Sequence, residues 1–415
     1  MTLIRFRALT LIYCLLFVMP SAFSQVQKIY LSPKTARGGK QSLLVDSIRI
    51  IPLEKRPGIS LDDEYIYPII TDDYFIIKPY NNNTIYFFDR QGKFVKQISN
   101  KQFKDASIDY DDLRHKITMK SANKNYQLTQ RDWLEVSIDF ANPKNRKYYK
   151  KYELDFDSAD AKLNRVEIGP YEVLQANKYF EDYYISGSVQ VSDLFKDTLD
   201  HELKVYRNNE IVKAYFPFHK REEPRFKYGR SSTGIFSTGT DSIKLIGRSF
   251  NDTVYQLRPD TILPIYKLVL PQENALPPSF FTTAFKTKTD RENFEANNGW
   301  LLKQLYDFSE NKRFIIMGMG FFRNYGRFAY DKQTKYLYDL NKVKTDSSQY
   351  DLPILSGNEG QDYKGKRYTS VKLDNMKAAY KKDNNIAWPA DVKAIAADKE
   401  KYMNIAIVEY MYKTN

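Results

Sequence analysis

A short strand–turn–strand unit recurs along the chain, and it restricts the fold more than any other feature. The clearest copy is NNNTIYFFDRQGKFVKQI, residues 81–98, in which an apolar run at 85–88 precedes a turn at 89–92. A glycine in the last place of the turn, followed by alternating charged and apolar residues, is typical of a β-hairpin. Strand-like stretches at 65–70 and 74–78 come just before it. The segment therefore predicts a four-stranded antiparallel sheet.

Similar units follow at residues 201–218, 252–270 and 327–343. Repetition of a multi-strand unit every several tens of residues predicts a β-propeller, in which sheets are arranged radially. The uneven spacing leaves a pair of β-sandwiches as an alternative on periodicity alone. Composition favours strands in either case, because the chain holds 33 tyrosines but only 17 glycines and aromatic residues suit half-buried pleated surfaces.

Several segments, taken in order, resemble the six-bladed β-propeller family of exported bacterial proteins, an NHL-like type of propeller whose activity is undefined. They are SLLVDSIRIIPLE at 42–54, the hairpin at 83–98, KVYRNNEIVKAYFPF at 204–218, NDTVY at 251–255 and MNIAIVEY at 403–410. The resemblance implies an all-β, six-bladed propeller with short helical insertions. It also implies a last blade closed by strands from both chain ends, which leaves no open sheet edge.

On this basis we expect residues 25–415 to form a single propeller domain. The expected blades are 63–98, 105–140, 148–218, 230–270, 276–343, and 365–413 together with 45–54. Helical spacing of apolar residues is rare, and it predicts short helices within 290–308 and 391–402. Pro264 lies inside a strand-like run, so an edge position is expected for that strand.

The first 24 residues predict a secretory signal peptide. Arg5 and Arg7 precede an apolar run, and Ala22-Phe23-Ser24 presents small residues at the positions that signal peptidase reads. The run is short for a membrane anchor. Lipidation of Cys14 is the other alternative, but bulky Tyr13 occupies the place where a lipobox has a small residue. We therefore expect an exported protein, periplasmic or extracellular, with no transmembrane segment after leader removal.

The absence of certain residue types from the mature chain excludes several kinds of chemistry. Cys14 is the only cysteine, so loss of the leader removes disulfides, thiolate nucleophiles and cysteine-ligated zinc. The three histidines, His115, His201 and His219, form no metal-binding motif, and no phosphate-binding or dinucleotide-binding fingerprint occurs. The string Asp155–Asp160 lacks the glycine and glutamate of a calcium loop. We therefore expect no cofactor and no metal.

The formal net charge is +13, and Arg5 and Arg7 of the leader supply two of these charges. Basic residues are spread along the chain without a long block, which indicates a solvated surface rather than a nucleic-acid site. Pairs of acidic residues, such as Asp72-Asp73, are interpreted as turns and surface charge, although a glycosidase would also use two carboxylates.

Two similar segments are the candidate binding residues. Each sets an aromatic residue and a glycine between arginines, and the residues concerned are Arg225, Tyr228, Arg230, Arg323, Tyr325 and Arg327. Arginine can bind a carboxylate or sulfate through two hydrogen bonds, and tyrosine can stack on a sugar. We expect the glycines to end strands, so that these side chains project from loops. Ordinary connections between blades, with the arginines paired to nearby acids, are the alternative.

Two functions remain open at this point. The first is a monomeric binding or scaffold module for an acidic glycan, a peptide or an envelope protein. The second is a hydrolase or lyase acting on a polysaccharide. The sequence favours the first, because no nucleophile or metal motif is present.

Overall fold

The computed structural model shows a six-bladed β-propeller, which confirms the fold expected from the sequence. It describes residues 26–415 except 60, 62–65, 80–81, 104–106, 112–114, 123–148, 158–160, 170–175, 190, 192–195, 222, 230, 239, 356–359, 384 and 399. The predicted leader and Arg230 lie outside the described residues.

In the described part of the chain, each blade contains four antiparallel strands, and two blades have a fifth strand added in parallel. Blade one contains β4 (Ile69–Ile70), β5 (Tyr74–Ile77), β6 (Thr84–Asp89) and β7 (Phe94–Ser99). Blade two contains β8 (Ser107–Asp111), β9 (Lys116–Ala122), β10 (Tyr149–Leu154) and β11 (Leu163–Val166). Blade three contains β12 (Asn177–Lys178), β13 (Tyr184–Ser186), β14 (Leu199–Arg207) and β15 (Glu210–His219).

The other three blades also take strands from the start of the chain. Blade four contains β16 (Gly234–Ser237), β17 (Lys244–Gly247), β18 (Thr253–Leu257) and β19 (Ile262–Val269), with β1 (Gln27–Tyr30) added in parallel. Blade five contains β20 (Leu302–Glu310), β21 (Phe314–Phe321), β22 (Tyr325–Asp331) and β23 (Leu337–Lys344), with β2 (Arg37–Lys40) added in parallel. Blade six contains β24 (Gln361–Tyr363), β25 (Lys366–Lys372), β26 (Tyr402–Tyr412) and β3 (Val45–Glu54).

The two chain ends close blade six, as the resemblance implied. Strand β3 pairs antiparallel with β26, and Ile51 lies opposite Ile407. Beyond the edge of the sheet, the Glu54 amide donates a hydrogen bond to Gly92 O at 2.9 Å in the hairpin of blade one. That glycine has a φ of +82°, and a Cβ there would lie 2.2 Å from Pro52 O. The turn glycine thus permits close contact between the closing strand and the next blade.

The expected blade boundaries need two corrections. Residues 149–166 belong to blade two, because β10 pairs with β9, whereas the sequence placed them in blade three. Strands β1 and β2 were not expected, and they extend the outer edges of blades four and five. The strand that contains Pro264, β19, is not an edge strand, because β1 pairs with it. That pairing starts at Tyr266, so Pro264 itself has no strand partner on the β1 side.

Helices are short and few among the residues that the structure describes. They are α1 (Lys288–Asn297), α2 (Asp374–Lys382) and α3 (Ala390–Ala397). Single 3₁₀ turns occupy Pro33–Thr35, Gln41–Leu43, Lys101–Phe103, Pro278–Phe281 and Ser347–Gln349. The expected helix in 391–402 is confirmed by α3. The expectation for 290–308 is correct only in part, because α1 is followed directly by the strand β20.

The hydrophobic core lies between the faces of neighbouring blades. Buried Phe75 and Ile407, for example, belong to one cluster shared by blades one and six. A separate aromatic cluster packs beneath residues 271–301, which connect blade four to blade five and contain α1. This connection, called the insertion below, carries the candidate functional site.

Candidate functional site

The insertion is organised around a buried arginine. Helix α1 begins with a capping box, in which the Asp290 amide donates to Thr287 Oγ1 at 3.1 Å and the Thr287 amide donates to Asp290 Oδ2 at 3.0 Å. This cap fixes the first turn and sets Arg291 facing inward, where the residue is only 1% exposed. Its Nε donates to Glu295 Oε1 at 2.8 Å and its Nη1 to Arg225 O at 3.0 Å.

Aromatic rings enclose the Arg291 guanidinium. Its Cζ atom lies 5.0–5.5 Å from the ring centres of Phe250, Phe280, Phe285 and Phe322. Cation–π attraction partly replaces the lost hydration. Burial lowers the pKa of Arg291, while the hydrogen bond to Glu295 opposes that shift. Arg291 therefore joins the insertion to the blades beneath it.

The first candidate segment packs directly on this arginine. A Cβ on Gly229 would lie 3.0 Å from Arg291 Nη2, so the glycine permits the contact. Tyr228 has a φ of +58°, is 38% exposed, and donates from its hydroxyl to Lys286 O at 3.3 Å. Its ring therefore lies on the solvent side of the segment.

Arg225, in contrast, is held by acids. Its Nη1 lies 3.2 Å from Oε1 of the fully buried Glu202, and its Nε lies 2.5 Å from Glu223 Oε1. These contacts match the alternative in which an arginine of the segment pairs with nearby acids. Arg225 thus secures the loop between blades three and four.

The second candidate segment reaches the insertion from the loop between β21 and β22. The Arg323 amide donates to Gly299 O at 3.0 Å, and its Nη2 donates to Glu292 O at 3.4 Å. Arg323 is exposed, and Tyr325, at the start of β22, is 78% exposed. Both side chains are therefore accessible to a ligand.

Arg327 does not project from a loop as expected. Gly326 and Arg327 lie within β22, and Arg327 is opposite Gly318 of β21 in the middle of blade five. Only 7% of Arg327 is exposed. The glycine thus sits inside a strand, and its arginine neighbour is part of the blade interior.

The structure brings the two segments together at the insertion. Arg291 contacts Gly229 of the first segment and lies 5.5 Å from the ring of Phe322, the residue before Arg323. The exposed side chains around this point are defined here as the insertion surface: Tyr228, Phe281, Lys286, Arg323 and Tyr325. The surface combines cations with aromatic rings, which suits an anionic ligand that has a face for stacking.

A buried ion cluster lies beside the first segment, and the sequence did not indicate it. Glu202 accepts from Arg248 Nε at 3.1 Å and Nη2 at 2.6 Å, in addition to its contact with Arg225. The Arg248 guanidinium lies 4.1 Å from the ring centre of Phe216. Phe216 and Phe250 both have positive φ, at 61° and 56°. Bulky residues rarely adopt this conformation, and such strain concentrates at functional sites.

The sequence also did not indicate that Arg291 is buried at this site. With Glu295 it forms an i, i+4 pair, a spacing that commonly indicates an exposed helix face. Only the phenylalanines that converge from separate parts of the chain bury it. The one available signal was the high aromatic content of residues 280–300.

The histidines are dispersed. His115 Nδ1 lies 3.0 Å from Tyr110 Oη, and His219 Nδ1 lies 3.4 Å from Asp197 Oδ1, while His201 lies on β14. Among the described residues, no group of three histidine, aspartate or glutamate side chains could hold a metal ion. Residues 158–160 of the calcium-like string lie outside the described part of the chain.

Comparison with known proteins supports the fold. No family model and no curated protein matches the chain. A Bacteroides fragilis protein described as exported is similar in structure, with 12% identity, a TM-score of 0.50, and coverage of 93% of this chain and 100% of the other. A DUF4221 family member from Bacteroides vulgatus gives 8% identity, coverage of 90% and 98%, and a TM-score of 0.39.

Virginiamycin B lyase from Staphylococcus aureus matches at 8% identity and a TM-score of 0.28, over 71% of this chain and 74% of the enzyme. No helix in the described part of the chain is long and apolar enough to cross a membrane. From its six sheets the chain is a six-bladed β-propeller, and the Bacteroides fragilis protein to which it is similar in fold is described as exported.

Proposed function

We propose that the protein is an exported binding module that recognises an acidic glycan through the insertion surface. The observation that carries this proposal is the convergence of two separate loops on Arg291, with Tyr228, Arg323 and Tyr325 left exposed around it. The planar guanidinium of an arginine can bind a carboxylate or sulfate bidentately, and a tyrosine ring can cover the apolar face of a sugar.

Buried contacts position the residues of the insertion surface. Arg291 and Arg225 anchor the insertion and the adjacent loop through buried contacts, and Arg323 is fixed by two hydrogen bonds from its backbone and side chain. Preorganisation reduces the entropy lost on binding. The buried arginines therefore support the site, while the exposed residues meet the ligand.

Export is part of the same proposal. The leader pattern of residues 1–24 supports it, and the similar Bacteroides fragilis protein is described as exported. Cleavage after Ser24 gives a mature protein that begins at Gln25. Intact mass of the protein isolated from its host should match that chain, whereas a retained leader or a lipid adduct would contradict it.

Binding isotherms test the site. An acidic polysaccharide such as polygalacturonate is titrated into the wild-type protein at low and moderate salt, and we expect affinity to fall as salt rises because exposed charges are screened. Arg323→Ala and Tyr325→Ala should each weaken binding by roughly tenfold, the effect of losing about 1.4 kcal/mol.

The matched control is Lys312→Ala. Lys312 is an exposed cation in the β20–β21 hairpin, at the opposite end of blade five from Arg323. Its loss removes the same charge from the molecule and should leave affinity nearly unchanged. Equal effects of Arg323→Ala and Lys312→Ala would show that net charge alone governs binding, and the proposed site would be wrong.

A further inference from the structure

The first two strands of the described chain follow the outer edges of two blades. Strand β1 adds in parallel to blade four, and β2 adds in parallel to blade five. Between them the Leu31 amide donates to Val269 O at 3.0 Å, and Lys342 Nζ donates to Ala36 O at 3.2 Å. Residues 27–44, called the strap below, therefore form one continuous strip over blades four and five.

The strap is attached to the ring by its inward side. Ile29 and Leu31 are 0% and 2% exposed, and they belong to a core cluster that also contains residues of both blades. Gln41 is buried, and its Nε2 donates to Gln349 Oε1 at 2.9 Å and to Leu352 O at 3.0 Å. These contacts fix the outward side of the strap in position on the blades.

The charged residues of the strap are all basic. It contains no aspartate or glutamate, and its four basic residues, all exposed, are Lys28, Lys34, Arg37 and Lys40. The strands to which the strap pairs, β19 and β23, contain a single acid, Asp339. That carboxylate lies 3.4 Å from Lys342 Nζ. The strap and its partner strands together are therefore strongly basic.

The pairing of the strap places like charges side by side. Lys28 is opposite Lys267 in blade four, and Lys40 is opposite Lys344 in blade five. Neighbouring strands are about 4.8 Å apart, and like charges in directly opposite positions repel each other. Lys267 has an ion-pair partner in Asp252. Lys40 and Lys344 are both exposed, and neither forms an ion pair with a carboxylate of the described residues. A negatively charged surface would relieve their repulsion.

Exposed apolar side chains lie among these cations. Tyr30 is 68% exposed and Leu43 is 48% exposed. Leu43 lies beside Lys40, because a Cβ on the adjacent Gly39 would be 3.3 Å from Leu43 Cδ1. The strap surface is defined here by six exposed residues, which are Lys28, Tyr30, Arg37, Lys40, Leu43 and Lys344. It shares no residue with the insertion surface.

We propose that the strap surface binds a bilayer that contains anionic phospholipid. Lysine and arginine side chains close to an anionic bilayer are attracted to its headgroups. A tyrosine suits the boundary between headgroups and acyl chains, because its ring is apolar and its hydroxyl is polar. A hydrated acidic glycan offers no apolar phase for Leu43, whereas a bilayer does. The mixture of cations and apolar side chains on one strip therefore favours a membrane over a polysaccharide.

Co-sedimentation with lipid vesicles tests the proposal. The mature chain, residues 25–415, is mixed with vesicles of phosphatidylglycerol and phosphatidylcholine, or of phosphatidylcholine alone, at low and moderate salt. The protein should sediment with the mixed vesicles at low salt and less at moderate salt, because salt screens exposed charges. It should remain in solution with phosphatidylcholine alone. Absence of binding to the mixed vesicles would overturn the proposal, and the lysines would then serve only to protect the edges of the sheets.

Two double variants of equal charge locate the binding surface. Lys40→Gln with Lys344→Gln should weaken binding to the mixed vesicles by roughly fivefold for each lysine. The control is Lys93→Gln with Lys101→Gln, which removes two exposed lysines on either side of β7 in blade one and should leave binding nearly unchanged. Equal losses in the two variants would show that net charge alone governs binding, which would contradict the assignment.

Leu43→Ser tests the apolar part of the surface. It should weaken vesicle binding by roughly threefold to tenfold at either salt concentration, because partial burial of a leucine side chain is lost. Unchanged binding would contradict insertion into the bilayer.

Polygalacturonate binding separates this inference from the proposed function. The variant with Lys40→Gln and Lys344→Gln should keep its affinity for polygalacturonate, and Arg323→Ala should keep its affinity for vesicles. If the lysine variant loses polygalacturonate binding but keeps vesicle binding, the strap belongs to the glycan site and the membrane assignment is wrong.

Discussion

Replacing Ile51 with alanine tests whether the strand at the start of the mature chain is an integral part of the ring. Ile51 lies in β3, is 2% exposed, and faces Ile407, which is fully buried. Its side chain also belongs to the cluster shared by blades six and one, so it packs against two blades. Because the site is enclosed on both sides, we expect little collapse around the missing atoms.

The magnitude follows from the chemistry of the change. Removing the outer carbons of a buried isoleucine costs about 2–5 kcal/mol, from lost transfer free energy and the cavity left behind. The matched control is Ile211→Ala on β15, where the side chain is 55% exposed. Substitutions at exposed positions usually change stability by less than about 0.5 kcal/mol.

Urea unfolding, followed by tryptophan fluorescence and by far-ultraviolet circular dichroism, measures both variants. Ile51→Ala should shift the single main transition to lower urea with an unchanged slope, since a cooperative ring loses stability as a whole. If Ile51→Ala unfolds with the wild-type midpoint, or only a minor early phase moves, then β3 is a peripheral strand and the reasoning is refuted.

Three further predictions concern buried charges. Arg327→Ala should lower the free energy of unfolding by about 1–3 kcal/mol in a urea titration, because the side chain is buried inside blade five and its truncation leaves a cavity there; an unchanged midpoint would contradict this. Glu202→Gln should cost about 3–5 kcal/mol, since Arg225 and Arg248 lose their shared buried carboxylate; thermal melts against the exposed-site control Glu292→Gln measure it. Burial raises the pKa of Asp331, but hydrogen bonds from Arg313 and from two backbone amides outweigh it, so the net pKa is lowered. The stability that Asp331 contributes is therefore present above the unfolded pKa near 4 and lost as pH falls below it. Asp331→Asn should flatten that part of the stability curve, and an unaltered acid dependence would refute it.

The sequence predicted the ring closure because its signal is strong and local. Residues 45–54 and 402–412 are apolar strands without partners nearby in the chain, and pairing them was the simplest way to remove two edges. The short strands β1 and β2 lack such a signal. Their segments, QKIY and RGGK, are polar or glycine-rich. Both strands are held by parallel pairing to the outer strands, and β1 also by the burial of Ile29 in the core.

The strand β20 was mistaken for helix for a definite physical reason. Leu302, Leu305 and Phe308 are spaced by three and all are buried, a pattern that normally indicates a helix face. Two irregularities in the pairing of β20 with β21, at 302–304 and 305–307, shift the alternation so that the same spacing faces one side of a strand. A bulged strand can therefore imitate helical periodicity.

In the candidate site, too, the sequence indicated the residues whose signal is local and missed those whose position depends on contacts between distant parts of the chain. Both arginine-rich segments were identified by their composition, and their exposed members, Tyr228, Arg323 and Tyr325, are where a ligand could reach them. The sequence did not indicate that Arg327 is buried, because β22 is covered on both faces and its buried residues do not alternate with exposed ones. The sequence did not indicate the buried role of Arg291, because the phenylalanines that enclose it come from separate parts of the chain and meet only in the fold.

Hydrogen exchange measured by mass spectrometry tests the central claim about function most directly. The mature protein is labelled with and without saturating polygalacturonate, and protection is compared among peptides. We predict slower exchange in residues 223–229, 281–299 and 321–326, which form and support the insertion surface, and no change in the hairpin at 311–313. Protection confined to that hairpin, or no protection of the insertion under conditions where binding is saturated, would contradict the account.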